Sequence, residues 1–242
     1  MATTTMVVIF LQIFPFPTLP AASFFIDSNP TSRQLVENAE RIPSMVGSRS
    51  PVSKDGKGEF RSISEALEAS PSNSNDPVYI NIESGEYYEL INVGMEKTNI
   101  VLKGAGIDRM VIVSNGSLDG SQSAATLKNL SDYSVFYNCN CKLKGVNGSL
   151  KAKGGNQFYR GCNVHGQNHL VSGYTTIYFQ KSSFFAETEK AVFSSQSSFL
   201  VSDKRITFNR CSFYAGQHMK NSSAAAYLGE LLGKYSKIVV IL

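Results

Sequence analysis

Four stretches of the chain carry one design: Ser134-Val-Phe-Tyr-Asn-Cys139, Asn156-Gln-Phe-Tyr-Arg-Gly-Cys162, Ile177-Tyr-Phe-Gln-Lys-Ser182 and Ile206-Thr-Phe-Asn-Arg-Cys211. Each sets an aromatic or apolar–aromatic pair ahead of a polar residue and a Cys or Ser. Two positions further on stands Cys141, Val164, Phe184 or Phe213, and each stretch closes on a small residue, Gly145, Gly166, Ala186 or Ala215. The Cys/Ser positions 139, 162, 182 and 211 lie 23, 20 and 29 residues apart. That spacing is too long for a hairpin and suits one coil of a solenoid, whose repeats bury their apolar faces on their neighbours. Small Cys and Ser side chains fit a tight interior ladder with rungs about 4.8 Å apart, with Asn, Arg and Lys alternating outward. The repeat therefore predicts an all-β chain, mostly parallel strand over 78–242, with Cys139, Cys162 and Cys211 pointing inward on successive rungs. Buried, reduced thiols follow from that placement, although a Cys139–Cys162 bridge between adjacent rungs is geometrically open.

Upstream of the repeat the strand signal continues. Val78-Tyr-Ile-Asn-Ile82, Asn99-Ile-Val-Leu-Lys103 and Met110-Val-Ile-Val-Ser114 are short β-branched runs punctuated by Gly or polar residues. Before them, Ser62-Ile-Ser-Glu65 is a capping-box pattern that opens a short helix, and Pro71 closes it. Residues 23–51 form a polar lead-in, in which Asn29-Pro30 opens a further short helix stopped by Pro43. The first charged side chain is Asp27, and the apolar run Met6–Phe14 before it is too short to cross a bilayer. Small residues follow at Ala21-Ala22, so residues 1–22 read as a secretory signal peptide, though one with no Lys or Arg at its start.

The composition is that of a globular chain: of 242 residues, 42% are apolar and 17% charged, enough for a sizeable core. The net charge of +4 is spread along the chain without a basic stripe, which argues against nucleic acid as partner and leaves weak attraction to an acidic polymer. No segment reads as a membrane span. The four Cys are too few for a disulfide-built scaffold, and Cys139-Asn-Cys141 has no second ligand pair for zinc. Neither a metal nor a cofactor is expected.

From about residue 52 to its end the chain resembles the plant pectinesterases, the pectin methylesterases of the cell wall. The resemblance is carried by Asp55-Gly-Lys-Gly-Glu-Phe60 with Ser62-Ile-Ser-Glu-Ala66, by Gly85-Glu-Tyr-Tyr-Glu89, and by Thr98-Asn-Ile-Val-Leu-Lys-Gly104. It continues through Leu118-Asp-Gly-Ser121, the aromatic-Cys stretches, Tyr227-Leu-Gly229 and Tyr235-Ser-Lys-Ile-Val-Val240. Each is weak alone; their order and separation are specific. The resemblance implies a right-handed parallel β-helix with a short N-terminal helix, a groove for methyl-esterified polygalacturonate, and a secreted, extracellular, cell-wall setting.

The family's reaction uses one aspartate as nucleophile and another as acid and base, glutamines at the oxyanion, and an arginine that holds the nucleophile. Carried over by position, the acid/base carboxylate falls on Gly148, within Asn147-Gly-Ser-Leu-Lys151. The nucleophile falls on His169, within His169-Leu-Val-Ser-Gly173. The arginine falls on Glu230 and the substrate-stacking Trp on Leu232, within Leu228-Gly-Glu-Leu-Leu232. The first oxyanion Gln falls near Ser123. None of the family's catalytic groups is retained. The chain also reads as one coil short between Asp119 and Cys139, and as ending before the family's closing segment, which leaves Lys237–Leu242 as an apolar edge.

His169 could serve as a replacement nucleophile or base, but no orienting partner stands near it in sequence, and a satisfied structural or surface His is its expected role; His165 lies on the same short stretch. Asn115, Asn147 and Asn221 head glycosylation acceptor patterns; Asn129 does too, in an apolar-flanked stretch that makes it the least accessible. Three readings follow. One is a catalytically inactive family member that binds pectin or a wall protein. Another is an active carboxylic-ester hydrolase with a rearranged site. The last is a decayed gene product without a stable fold.

Overall fold

A computed structural model of the chain describes residues 51–106, 109–114, 125–139, 148–188, 190–197, 204–216, 226–233 and 235–241. The leader, most of the lead-in with its helix, Asn115, Asp119, Ser123, Cys141, Asn147 and Asn221 lie outside the described residues.

Every strand pairing is parallel, and the strands fall into faces of a coil that winds repeatedly around one interior. The first face is an eight-stranded sheet in the order β1 (Pro51–Val52), β2 (Val78–Ile82), β5 (Ile100–Gly104), β8 (Ser134–Tyr137), β10 (Asn156–Arg160), β13 (Thr176–Gln180), β16 (Ile206–Asn209) and β19 (Ile238–Ile241). The next face holds β3 (Gly85–Tyr88) paired with β6 (Met110–Val113), and β11 (Asn163–Gly166), β14 (Ser183–Ala186) and β17 (Ser212–Ala215) in one row. The third face is a six-stranded sheet of β4 (Ile91–Val93), β7 (Leu127–Asn129), β9 (Leu150–Ala152), β12 (Val171–Gly173), β15 (Ser194–Gln196) and β18 (Glu230–Leu231). Successive strands such as β10, β11 and β12 belong to three different faces, and β13 then lies beside β10. This is a parallel β-helix, as the repeat predicts; crossovers between parallel strands are overwhelmingly right-handed.

The register reproduces the spacing of the repeat. Ser134 pairs with Gln157, Gln157 with Ile177 and Ile177 with Ile206, steps of 23, 20 and 29 residues. Neighbouring residues of each repeat split, one side chain inward and the next outward, because successive side chains of a strand face opposite ways. Inward, Phe136, Tyr159, Phe179 and Phe208 stack rung on rung with ring centroids 4.8, 5.0 and 5.3 Å apart. Outward, Val101, Val135, Phe158 and Tyr178 form a second, smaller buried cluster with Tyr79 packed against it.

The residue before each Cys or Ser turns the corner between faces in the left-handed region: Asn138 at φ 52°, Gly161 at 61°, Lys181 at 49° and Arg210 at 51°. Asn and Gly adopt this readily; a Lys or Arg there costs roughly 1–2 kcal/mol, which the stacked rungs must offset. Cys139 and Cys162 then point inward and are fully buried, and the Cys162 amide donates to Ser182 Oγ at 3.2 Å. Cys211 departs from the expectation of an equally buried thiol: it packs against the core but is only partly covered, at the entry to β17, the last described strand of its row. All three are free thiols. Desolvation pushes Cys139 up to about 12 and Cys211 up to about 11.

The helix α1 (Ile63–Ala69) closes the N-terminal end. Ser62 and Glu65 form the capping box read from the sequence, and Ser70, just before Pro71, is its C-cap. Ile63, Ala66 and Leu67 bury its inner side. The Gly-x-Tyr-x-Glu motif is structural here. Glu89 accepts the Ile63 and Ser64 amides at 3.0 and 2.9 Å, and the buried Tyr87 hydroxyl donates to the Val52 carbonyl at 3.1 Å. Asn129 is buried at the core wall, donating to Ser134 Oγ and the Tyr159 hydroxyl, so it is no surface acceptor for a sugar.

Candidate functional site

On the six-stranded face the alternation of each strand sends Leu150, Ala152, Val171 and Gly173 inward, and Lys151 and Ser172 outward. The outward positions form one column across the sheet, Lys128–Lys151–Ser172–Ser195–Glu230, each in register with the next. Along this column runs a groove of about 560 Å³. It is lined by Gly148, Lys151 and Lys153 around β9, by Asn168, His169, Ser172 and Tyr174 around β12, by Ser195 and Ser197 around β15, and by Leu232 beyond β18.

The described positions read from the sequence as matching one catalytic site thus meet in space. Gly148 and His169 come together at the turns entering β9 and β12: a Cβ added at Gly148 would lie 3.4 Å from the His169 carbonyl. Gly148 has φ +87°, a conformation that disfavours a side chain. Glu230 faces His169, its Oε2 lying 3.5 Å from His169 Nδ1. No partner stands near His169 in sequence, and the structure supplies one from a distant stretch. The partner is 61 positions further along the chain (230 minus 169), brought beside it by two turns of the coil.

His165 has a different role from His169. It lies on β11, on another face, with Nδ1 2.9 Å from Glu187 Oε1 and its ring stacked on Phe185 at 4.2 Å. It is a satisfied structural histidine. Among the described residues lining the groove there is no Asp or Glu, and no three His, Cys, Asp or Glu side chains among the described residues gather closely enough to hold a metal ion. No described helix is long and apolar enough to cross a membrane.

The basic end of the groove was not legible from scattered charges. Lys128 and Lys151 are paired directly across neighbouring strands, and Lys153 follows two positions on. All three are partly buried. Burial first, then the Lys153 and Lys128 ammonium groups, pull Lys151 below its ordinary value. Only the strand register brings residues 128 and 151 together. The outer side chains of β7 and β9 read in pairs are the signal that finds them.

The stacked faces define a parallel β-helical solenoid with an open groove along one of them. The pectinesterase family model matches residues 50–126 and 115–242, and the chain belongs to that family. A probable pectinesterase/pectinesterase inhibitor 39 of Arabidopsis thaliana is 29% identical over 229 residues, covering 78% of this chain and 42% of that protein. The chain therefore spans about two fifths of the length of that relative. The pectin methylesterase from carrot superposes with a TM-score of 0.61 at 23% identity, over 81% of this chain and 73% of the carrot chain. A pectin methylesterase solved in complex with a hexasaccharide superposes at 0.54 with 16% identity, over 76% and 70% of the two chains. At these identities the structural likeness is one of fold.

Proposed function

We propose that this chain is an extracellular, cell-wall member of the pectinesterase family that has kept the polymer groove and lost the ester-hydrolysing chemistry. A leader over residues 1–22 would direct it there, followed by the lead-in over 23–51 and the β-helix domain over 52–242. The observation that carries the reading is the pair at the groove wall. The resemblance implies a carboxylate held by a guanidinium, and this chain has an imidazole facing a carboxylate, His169 and Glu230, 3.5 Å apart. The carboxylate and its partner have exchanged places, which preserves the contact without supplying a carboxylate nucleophile at position 169. Gly148 offers no acid or base, and among the described lining residues no other carboxylate takes its place. Hydroxyls and an amide from Ser172, Ser195, Ser197 and Asn168, with Tyr174 and Leu232 as partly exposed platforms, suit the hydroxyl-rich faces of a sugar chain. A glycan at Asn147, adjacent in sequence to the groove residue Gly148, would reinforce inactivity.

The runner-up, an active hydrolase with a rearranged site, draws on that same pair. An imidazole whose Nδ1 faces a carboxylate is half of an acid–base arrangement. The experiment is to expose purified protein to highly methylated pectin and measure both retention on the polymer and methanol. Retention without methanol is expected. Methanol release favours the rearranged site, and neither retention nor methanol removes both readings.

A further inference from the structure

We propose that Lys128, Lys151 and Lys153 form a carboxylate-binding subsite at one end of the groove, so that the groove takes unesterified uronate units in preference to methyl-esterified ones. The inference rests on the pectin-binding reading above and narrows it to one chemical form of the polymer.

The placement of the three lysines is costly for the fold. Lys128 and Lys151 sit directly opposite each other on neighbouring strands about 4.8 Å apart, and like charges so placed are destabilising. Lys153 adds a third cation just beyond the end of β9, two positions on from Lys151, and lines the same groove. Isolated lysines relieve such crowding by extending into water, but these three are partly buried, and Lys151 is depressed by both burial and its two neighbours. Among the described residues none of the three is in an ion pair with a carboxylate. The nearest acidic group of the outward column, Glu230, is not among the groove-lining residues; it stands at the column's far end, three rungs from Lys151 and already facing His169. The cationic end is thus uncompensated from within the described fold. A free carboxylate of the ligand supplies the missing charge, with charge-assisted hydrogen bonds to the ammonium groups. A methyl ester has no charge to offer and would leave the partly buried ammonium groups as poorly solvated as before.

The rest of the groove selects a sugar polymer over a compact anion. Past the lysines the column continues through Ser172 and Ser195, flanked by Asn168 and Ser197 and by the exposed Tyr174 and Leu232. A linear chain with a carboxylate on successive units can place one at the lysines and lay its hydroxyls along the serines. Inorganic phosphate can use only the first contact.

The test is calorimetric titration of the purified full chain with galacturonate oligomers of equal length, fully unesterified or fully methyl-esterified. The expected result is binding of the unesterified oligomer at least about tenfold tighter than the ester, weakening as salt is raised from 0.1 M to 0.5 M because the contact is ionic. Lys151→Gln and Lys153→Gln should each weaken it about fivefold, equivalent to about 1 kcal/mol. Lys151→Arg should restore binding, and Lys57→Gln, at an exposed lysine remote from the groove and paired with Asp55, should leave it unchanged. Leu232→Ala should weaken both oligomers alike. Thermal unfolding of Lys151→Gln should occur no lower than in the parent, since the substitution relieves repulsion. Equal or tighter binding of the esterified oligomer overturns the lysine assignment and leaves the groove a pectin site. Loss with Lys57→Gln as large as with Lys151→Gln, or no recovery with Lys151→Arg, also overturns it. Binding of neither oligomer overturns the pectin-binding reading itself.

Discussion

Exchanging both members of the His169–Glu230 pair tests whether residues so far apart in sequence form one wall of the groove. His169→Asp alone sets a second carboxylate against Glu230. Glu230→Arg alone sets a guanidinium against an imidazole and increases the positive charge of a groove that already holds Lys151 and Lys153. The double variant faces a carboxylate with a guanidinium across the gap that now measures 3.5 Å. Two unit charges at that separation interact by about 1 kcal/mol in a water-like dielectric. Discounting is needed because the His169 side chain is 46% exposed and that of Glu230 19%, and exposed pairs measure about 0.2–1 kcal/mol in cycles. The repulsion created by His169→Asp and the attraction restored by the double change both enter the coupling, which comes to about 1–2 kcal/mol. Urea unfolding of the parent, both single variants and the double variant measures it from midpoints and slopes. His169→Asp should be less stable than the parent and the double variant should recover most of the loss. Additivity within about 0.5 kcal/mol would show that the two side chains do not interact and would refute the pairing.

Three further outcomes test the fold that positions the groove. Phe179→Ala removes the central ring of the interior stack, which contacts Tyr159, Phe208 and Phe184, and should cost about 3–5 kcal/mol in the same urea assay; a loss under about 1 kcal/mol would contradict the stack. Gly154→Ala would drive a Cβ into the Leu130 backbone carbonyl beside β9, so a loss of about 1–3 kcal/mol is expected, and a neutral result would contradict that close approach. Burial raises the Cys139 and Cys211 thiols from 9.0 to about 12 and about 11, so the folded state holds protons that the unfolded chain has released. Their contribution is whole below about pH 9 and declines as pH rises toward about 12. Cys139→Ala should flatten that decline by up to about 1.4 kcal/mol per pH unit, and an unchanged profile would count against the buried thiol.

The coil was legible because the Cys/Ser spacing is itself the strand register, and the interior ladder of Phe136, Tyr159, Phe179 and Phe208 repeats a visible pattern. The short helix was legible because its capping box is local. Gly148, His169 and Glu230 were reachable only through the resemblance, as three stretches with nothing in common besides their matched order. Their convergence depends on the coil bringing residues from successive rungs onto one face. The same geometry hid the Glu230 partner of His169, whose separation matches no local period, whereas Lys128 and Lys151 are one coil step of 23 residues apart but lie on a face whose strands carry no aromatic-Cys signature to mark the step. The left-handed corners at Lys181 and Arg210 were hidden for another reason: those residue types do not advertise that conformation, and the neighbouring rungs impose it. Cys211 shows the limit of reading a repeat as uniform, because burial of a rung depends on what stacks beyond it.

The central claim is that the groove persists without the family's hydrolytic chemistry. Its most direct test is methanol release from highly methylated pectin by the purified chain, with the His169→Ala variant and the triple variant Gly148→Asp, His169→Asp, Glu230→Arg run alongside. Losing a nucleophile alone costs about a millionfold in a well-characterised protease. Restoring charges does not restore placement either, because catalytic groups must be held within about 0.5 Å and Gly148 has φ +87°. Methanol at background is predicted from all three proteins. Turnover by the parent chain that disappears in His169→Ala would contradict the account and assign the chemistry to the His169–Glu230 pair.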